Sequence, residues 1–419
     1  MPSSDLNDQE GVSSPTNKNV LLIILCVTCI LGGLMNNVGV QMMGNKMPPF
    51  ASFLLYGTTL MYVLLFFSAE VISSAFNRYT IKEIIQRWSL YGSRKLQIVV
   101  LVLGVLTALN GVLAQSAIPF IEPQLAVILK QVALPVTWAC YPLILKKKVE
   151  VGQIGSFFLI SFGLLFGSIY GYIHGAGGQI VYTNSIFWII VIILSAIPTS
   201  FEILYQEVAY DTMKAPIFIV LVYYNLFSLI IYFFWIFMTA VPQFGTCLPK
   251  DLSMPLSQCT FNMTTCTVPE AFIQQGEAFK CFFGVGEVQC CGSYASLWVM
   301  VFTLGYFISF ISSSYLLERY GSNVWANLNA LIFPLTTATF WIKPLVGDSA
   351  SSFEWYVLVS IIAITLGNLT YEWFSRRPLY EFDLKFLPWY NYRYEVSGSK
   401  NENLLVPYEE DPEKKTLLE

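Results

Sequence analysis

Ten stretches of about 20 apolar, almost uncharged residues run through the chain, each long enough to cross a bilayer as a helix. They lie near 20–42, 50–74, 97–118, 123–145, 152–173, 185–206, 216–241, 296–316, 322–342 and 353–374. Lipid offers the backbone no hydrogen bonds, so each stretch must pair its own N–H and C=O groups. Composition agrees. Only 12% of the 419 residues are charged, against about 25% in soluble proteins, and the mean hydropathy is +0.59. The expectation is an all-α polytopic membrane protein. Its acidic first residues (MPSSDLNDQEG) lack the basic region of a signal peptide and the Arg-rich character of a transit peptide, so the first span should act as its own signal. The net charge of −4 comes without any basic stretch interleaved with aromatics, so nucleic acid is not an expected partner.

An even number of spans places both termini on one side, and the basic residues say which. Arg78, Lys82, Arg87, Arg94 and Lys95 follow span 2; Lys146, Lys147 and Lys148 follow span 4; Arg376 and Arg377 follow span 10. The opposite side carries Lys46, Lys250, Lys280 and Lys343. Both termini (1–19 and 375–419) are therefore expected in the cytosol. The polar insert 242–295 between spans 7 and 8 is then lumenal. It holds Cys247, Cys259, Cys266, Cys281, Cys290 and Cys291, and an oxidising compartment would pair them, with the connectivity left open. The same insert carries a glycosylation sequon at Asn262.

The spans repeat. With Pro135 set over Pro334, Leu129 falls on Leu328, Lys130 on Asn329 and Thr137 on Thr336. Spans 1–5 (20–173) and 6–10 (174–374) then form two five-helix halves of opposite topology. Inverted repeats of this kind are found in secondary transporters, whose substrate site lies near the midplane between the halves.

Few residues inside the spans can do chemistry. Lys130 is the cation set well inside a span, at a cost of about 2.5–3.5 kcal/mol. It either faces a cavity, where it could bind a substrate carboxylate, or snorkels to the surface. Glu202 and Glu207, near the end of span 6, are carboxylates that could load a proton from an acidic lumen and release it to the cytosol; the plainer alternative is a pair of interfacial acids. Glu372 in span 10 is a further candidate. Pro135 and Pro334 deprive the helix ladder of a donor and mark candidate breaks at a cavity. Gln131, Asn110, Gln115, Asn327 and Asn329 would line the same cavity, or serve as interhelical hydrogen-bonding groups. The cytosolic tail ends in Glu413, Leu417 and Leu418, spaced like an acidic dileucine signal for clathrin adaptors. Neither a phosphate-binding glycine loop, nor metal-ligand spacing, nor a nucleophile elbow is present in the sequence, so neither an enzyme nor a cofactor is expected.

An ordered set of segments carries a family likeness: Leu129-Lys130-Gln131-Val132-Ala133-Leu134-Pro135, Ser195-Ala196-Ile197-Pro198 with Glu207, Ser314-Tyr315-Leu316-Leu317-Glu318-Arg319, Lys343-Pro344-Leu345-Val346-Gly347-Asp348, and Gly367-Asn368 with Glu372. Together with the cysteine-rich insert they resemble the chloroquine-resistance-transporter family of the drug/metabolite transporter superfamily. The resemblance implies a ten-span, 5+5 inverted-repeat carrier in an acidic endolysosomal or vacuolar membrane. It would export short peptides, amino acids, glutathione-like thiols or organic cations and drugs, coupled to protons. Lys130 departs from the family pattern, which is ordinarily uncharged there, and favours zwitterionic or anionic substrates. A nucleotide-sugar antiporter of the same superfamily, or a receptor or scaffold using the lumenal insert, are the alternatives.

Overall fold

The computed structural model describes residues 15–76, 94–144, 151–174, 186–213, 215–237, 267–285, 291–347 and 353–376, with Tyr79, Lys82, Glu83, Trp88, Val288 and Ala350 besides. The described residues are helical and contain no strand. In chain order the helices are α1 (Pro15–Lys46), α2 (Ala51–Phe76), α3 (Arg94–Ala117), α4 (Pro123–Lys130), α5 (Ala133–Ile144), α6 (Val151–His174), α7 (Ile186–Glu207), α8 (Ile217–Trp235), α9 (Val268–Phe283), α10 (Ala295–Thr339), α11 (Lys343–Val346) and α12 (Trp355–Arg376).

Among the described residues, six segments are long and apolar enough to cross a membrane: Val20–Lys46, Pro48–Phe76, Arg94–Phe120, Ile186–Tyr210, Ile217–Trp235 and Ala295–Tyr320. They coincide with spans 1, 2, 3, 6, 7 and 8 of the sequence. Spans 5 and 10 contain shorter apolar helical stretches, Gly155–Gly167 and Trp355–Tyr371.

Span 4 is split into α4 and α5, and Pro135 supplies the reason. In an unbroken helix residue 135 would donate to the Gln131 carbonyl, but proline has no N–H. The Leu134 N–H takes that carbonyl instead, at 3.0 Å, and the turn just before tightens the same way, with Gln131 N to Ile128 O at 3.0 Å and Val132 N to Leu129 O at 3.2 Å. These three-residue closures end α4 at Lys130 and restart the helix at Ala133. At Pro334 the expectation of a break fails. α10 runs on through that residue. One missing bond inside a membrane helix is tolerated where neighbouring helices hold the backbone in place, and the arm carrying Pro334 packs on α1, with Ile332 against Gly33.

Continuous as its backbone hydrogen bonding is, α10 folds back on itself. A β-carbon on Gly32 would meet the Ser309 backbone, and one on its neighbour Gly33 would meet Ile332. On a straight helix residues 309 and 332 stand about 34 Å apart, yet they touch adjacent residues of α1. Leu316 and Leu328 likewise share one cluster with Cys29. The reversal lies between them, so α10 is an antiparallel pair of arms, matching spans 8 and 9.

α1 packs on α10, α2 on α8, α3 on α7 and α8, α5 on α7, and α6 on α12. Small residues allow the closest approaches. Gly163 and Gly167 receive Ser360, whose hydroxyl donates to the Gly163 carbonyl at 2.7 Å, and Gly367 receives Ile160. The largest apolar core joins α2, α3, α7, α8 and α10 around Phe66, Leu103, Tyr210, Tyr224 and Leu317.

Within the cysteine-rich insert, α9 is a helix of sixteen residues. Thr267 and Glu270 form a capping box at its start, Pro269 sits in its first turn, and Gly284 closes it at φ +69°. Cys281 on α9 is disulfide-bonded to Cys291, just before α10. Cys247, Cys259, Cys266, Cys290 and Asn262 lie outside the described residues, as do Glu413, Leu417 and Leu418.

Candidate functional site: a polar cavity at the break in span 4

The helices enclose a cavity of about 280 Å³ lined from α1, α2, α3, the α4–α5 break, α7, α8 and both arms of α10. Among the described residues, none of α6 or α12 lies in its wall. Its lining is rich in hydroxyls and amides: Asn36 and Asn37 on α1, Thr58 and Thr59 on α2, Asn110 and Gln115 on α3, Ser195 and Thr199 on α7, Asn225 on α8.

Among the described lining residues two are charged, Lys130 and Glu202. Lys130 is the last residue of α4, at the end of the helix that its dipole makes negative. Among the described residues it forms no ion pair. Glu202 is buried on α7, where the Gln206 amide donates to Oε1 at 3.3 Å. The register between the two elements is fixed by packing. Val191 and Ile192 share a cluster with Leu125 and Leu129, and Ser200 Oγ donates to the Ala133 carbonyl at 2.8 Å. The helices thus run parallel, and Lys130 is level with residue 197. Glu202 stands five residues further along, about 7.5 Å at the helical rise of 1.5 Å per residue.

One wall is aromatic. Tyr62 stacks on Tyr306 with ring centroids 3.9 Å apart, Tyr306 stacks on Phe310 at 3.9 Å, and Phe302 lies 6.0 Å from Tyr62. At the break, Gln131 is buried with its Oε1 unpaired, and Gln115 is buried with its Nε2 unpaired. Both residues line the cavity. Each therefore presents a hydrogen-bonding atom unused by the protein.

Lys130, Gln131, Asn110, Gln115, Asn329 and Glu202 are thus brought together in one chamber. Pro135 and Pro334 are not in its wall; Pro135 acts from behind, by setting the break. Glu207 also lies outside the wall, buried at the junction where α7 passes into a π-helical turn, Val208–Thr212. One helical turn separates Glu202 from Gln206, the last residue of α7 in the wall, and Glu207 faces another way. The side chains of Asn327 and Glu372 are outside the described residues. Sequence reasoning passed over Asn36, Asn37, Asn225 and the Tyr62–Tyr306–Phe310 stack. The adjacent amides of span 1 and the amide of span 7 were signals, since such groups inside a span face protein or a cavity; the aromatics gave none among so many.

This is a multi-pass helical membrane protein built round a polar chamber. Residues 22–371 match the family model described as CRT-like, chloroquine-resistance transporter-like. The chain belongs to that family of membrane transporters. Crt homolog 1 of Dictyostelium discoideum is 22% identical over 372 residues, spanning 86% of this chain and 75% of the relative. Crt homolog 3 of the same organism is 21% identical over 378 residues, 84% of this chain and 73% of the relative. A solved crystal structure shares the fold at TM-score 0.50 and 10% identity, over 86% of this chain and 99% of that one.

Proposed function

We propose that this transporter is a proton-coupled carrier that exports small zwitterionic solutes, short peptides or glutathione-like thiols among them, from an acidic endolysosomal or vacuolar lumen to the cytosol. The observation that carries the reading is the pair of opposite charges, Lys130 and Glu202, in the wall of one cavity. A substrate carboxylate fits Lys130 and a substrate ammonium fits Glu202. A cavity of about 280 Å³ stands at the small end of ligand sites, which run from about 300 to 1,000 Å³. Glu202 is also the carboxylate able to exchange a proton with the chamber, which makes it the coupling group of this reading ahead of Glu207. Organic cations are disfavoured by Lys130.

The ten spans form two inverted five-helix repeats in this reading. Exchanging span n with span n+5 carries the pairing of spans 3 and 6 onto that of 8 and 1, and that of 4 and 6 onto 9 and 1. The pairs 2–7 and 5–10 map onto themselves. The contact of Ala133 with Ser200 has its counterpart in that of Ile332, 199 residues after Ala133, with Gly33 in span 1. Both termini are cytosolic by the distribution of basic residues, with the tail ending in Glu413, Leu417 and Leu418 available to an adaptor.

Reconstitution into acid-inside vesicles tests the function. Labelled dipeptide, glutathione, a basic amino acid, an organic cation and a nucleotide sugar are supplied in turn. Gradient-driven efflux of dipeptide or glutathione is expected. Flux of nucleotide sugar alone, or none of any substrate, overturns the reading.

A further inference from the structure

The net charge of the chamber follows from few side chains. Among its described lining residues the acid is Glu202 and the cation is Lys130. Setting Pro135 over Pro334 places Asn329 at the position of Lys130, and Asn329 is a neutral amide of the same wall. The cation is therefore carried by one half of the repeat alone. The other titratable groups of the described wall are neutral at ordinary pH. They are the phenols of Tyr62 on α2, Tyr232 on α8 and Tyr306 on α10, and the Cys29 thiol on α1. Tyr210 and Tyr224 share a core with Ile203, the neighbour of Glu202, and are phenols too. From α3 come Thr107, Asn110 and Gln115, which do not titrate.

An isolated ion is costly away from water, and a compensated one less so. With Glu202 ionised, Lys130 cancels it and the empty chamber is neutral. A zwitterionic solute adds no net charge. A proton arriving with it leaves the loaded chamber with one net positive charge, whichever group holds that proton. In the absence of Lys130 the loaded chamber would be neutral and the empty one anionic.

A carrier with its site near the midplane opens to one side at a time. The membrane potential falls across whichever side is closed. When the closed side changes, charge held in the chamber passes from one potential to the other, although the wall itself hardly moves. Voltage therefore acts on whichever crossing, loaded or empty, carries net charge.

Given the proton-coupled reading above, on which this rests, we propose that Lys130 places the voltage-dependent step on the loaded crossing and frees the empty return from the potential. A lumen-positive potential then drives proton and solute outward together and leaves the return of the empty carrier unaffected. Lys130 is thus a charge-compensating residue as well as a partner for the substrate carboxylate.

Potential steps across patched giant vesicles holding the full chain test this, with labelled dipeptide flux followed in the same preparation. Displaced charge is recorded at mildly alkaline pH without substrate, then at acid pH with saturating dipeptide on both sides. The parent should displace several-fold more charge loaded than empty, and Lys130→Gln should reverse that order. Glu202→Gln leaves the cation uncompensated and should displace charge in both conditions; it carries the test if Lys130→Gln does not elute as a folded protein. As much charge displaced by the empty parent as by the loaded one, a parental pattern in Lys130→Gln, or a silent empty Glu202→Gln overturns the proposal. Proton-driven dipeptide flux accompanied by any of these sinks the assignment of Lys130 alone, whereas absence of that flux overturns the coupled-carrier reading with it.

Discussion

Ser200 Oγ donates to the carbonyl of Ala133 at 2.8 Å, tying α7 to the first residue of α5. The same carbonyl accepts from Thr137 Oγ1 at 2.7 Å, and Ser200 also stands 2.8 Å from its own Ala196 carbonyl. One hydroxyl proton is therefore shared between two acceptors, and the carbonyl keeps a donor if Ser200 is lost. Ser200→Ala is expected to lower stability by only about 0.5–1.5 kcal/mol, read by thermal unfolding in nanodiscs. A larger loss would mean that the break in span 4 depends on this bond more than on Pro135.

Gly32 and Gly155 should respond oppositely to the same change. A β-carbon on Gly32 would lie 2.6 Å from the Ser309 backbone nitrogen, and backbone cannot swing aside. Gly32→Ala must push α1 away from α10, at a cost of about 1–3 kcal/mol. At Gly155 nothing lies within 4 Å of the added carbon, and alanine in a helix interior gains about 0.5–1 kcal/mol over glycine. Gly155→Ala should thus match or exceed the parent in unfolding temperature while Gly32→Ala falls below it.

The disulfide between Cys281 and Cys291 closes a short loop, with a sequence separation of 10. Loop-closure entropy for such a length is worth somewhat less than about 3 kcal/mol. Cys281→Ser should leave the spans folded and raise hydrogen exchange in α9 selectively. Equal exchange with and without the bond would show that Phe53, Phe282 and the Gln274 contact hold the helix unaided.

Much of this arrangement was legible in the chain because the bilayer sets strong demands. Spans 1, 2, 3, 6, 7 and 8 recur as long apolar helices, and the break in span 4 follows from Pro135, whose missing N–H is a property of the residue itself. Pro334 has the same chemistry, and a threonine two residues on as Pro135 has, yet no break, so the packing of its arm on α1 decides the outcome. Which glutamate faces the chamber was not legible. Glu202 and Glu207 are five residues apart, so they project about 140° apart on a helix, and only the docking of α7 on α3 and α5 chooses between them. The helix α9 was overlooked inside the cysteine-rich insert, although Thr267 and Glu270 carry the spacing of a capping box.

Lys130 and Glu202 allow the decisive functional comparison, because among the described residues they are the two charged groups in the chamber wall. Glu202→Gln keeps the shape and removes the titratable group. Efflux should stop rising as the lumen is acidified, and gradient-driven flux should fall by about tenfold, within the usual 5–150-fold range of coupling between sites. Lys130→Ala should keep the pH dependence and shift the preference from dipeptide towards organic cations. If a single zwitterionic substrate bridges the two charges, the double variant should lose less dipeptide affinity than the two single losses added, with an interaction of about 0.5–3 kcal/mol. Strict additivity, measured by substrate competition in the same vesicles, would mean that the two residues act on different ligands. Lys130 would then bind substrate while Glu202 carries only the proton.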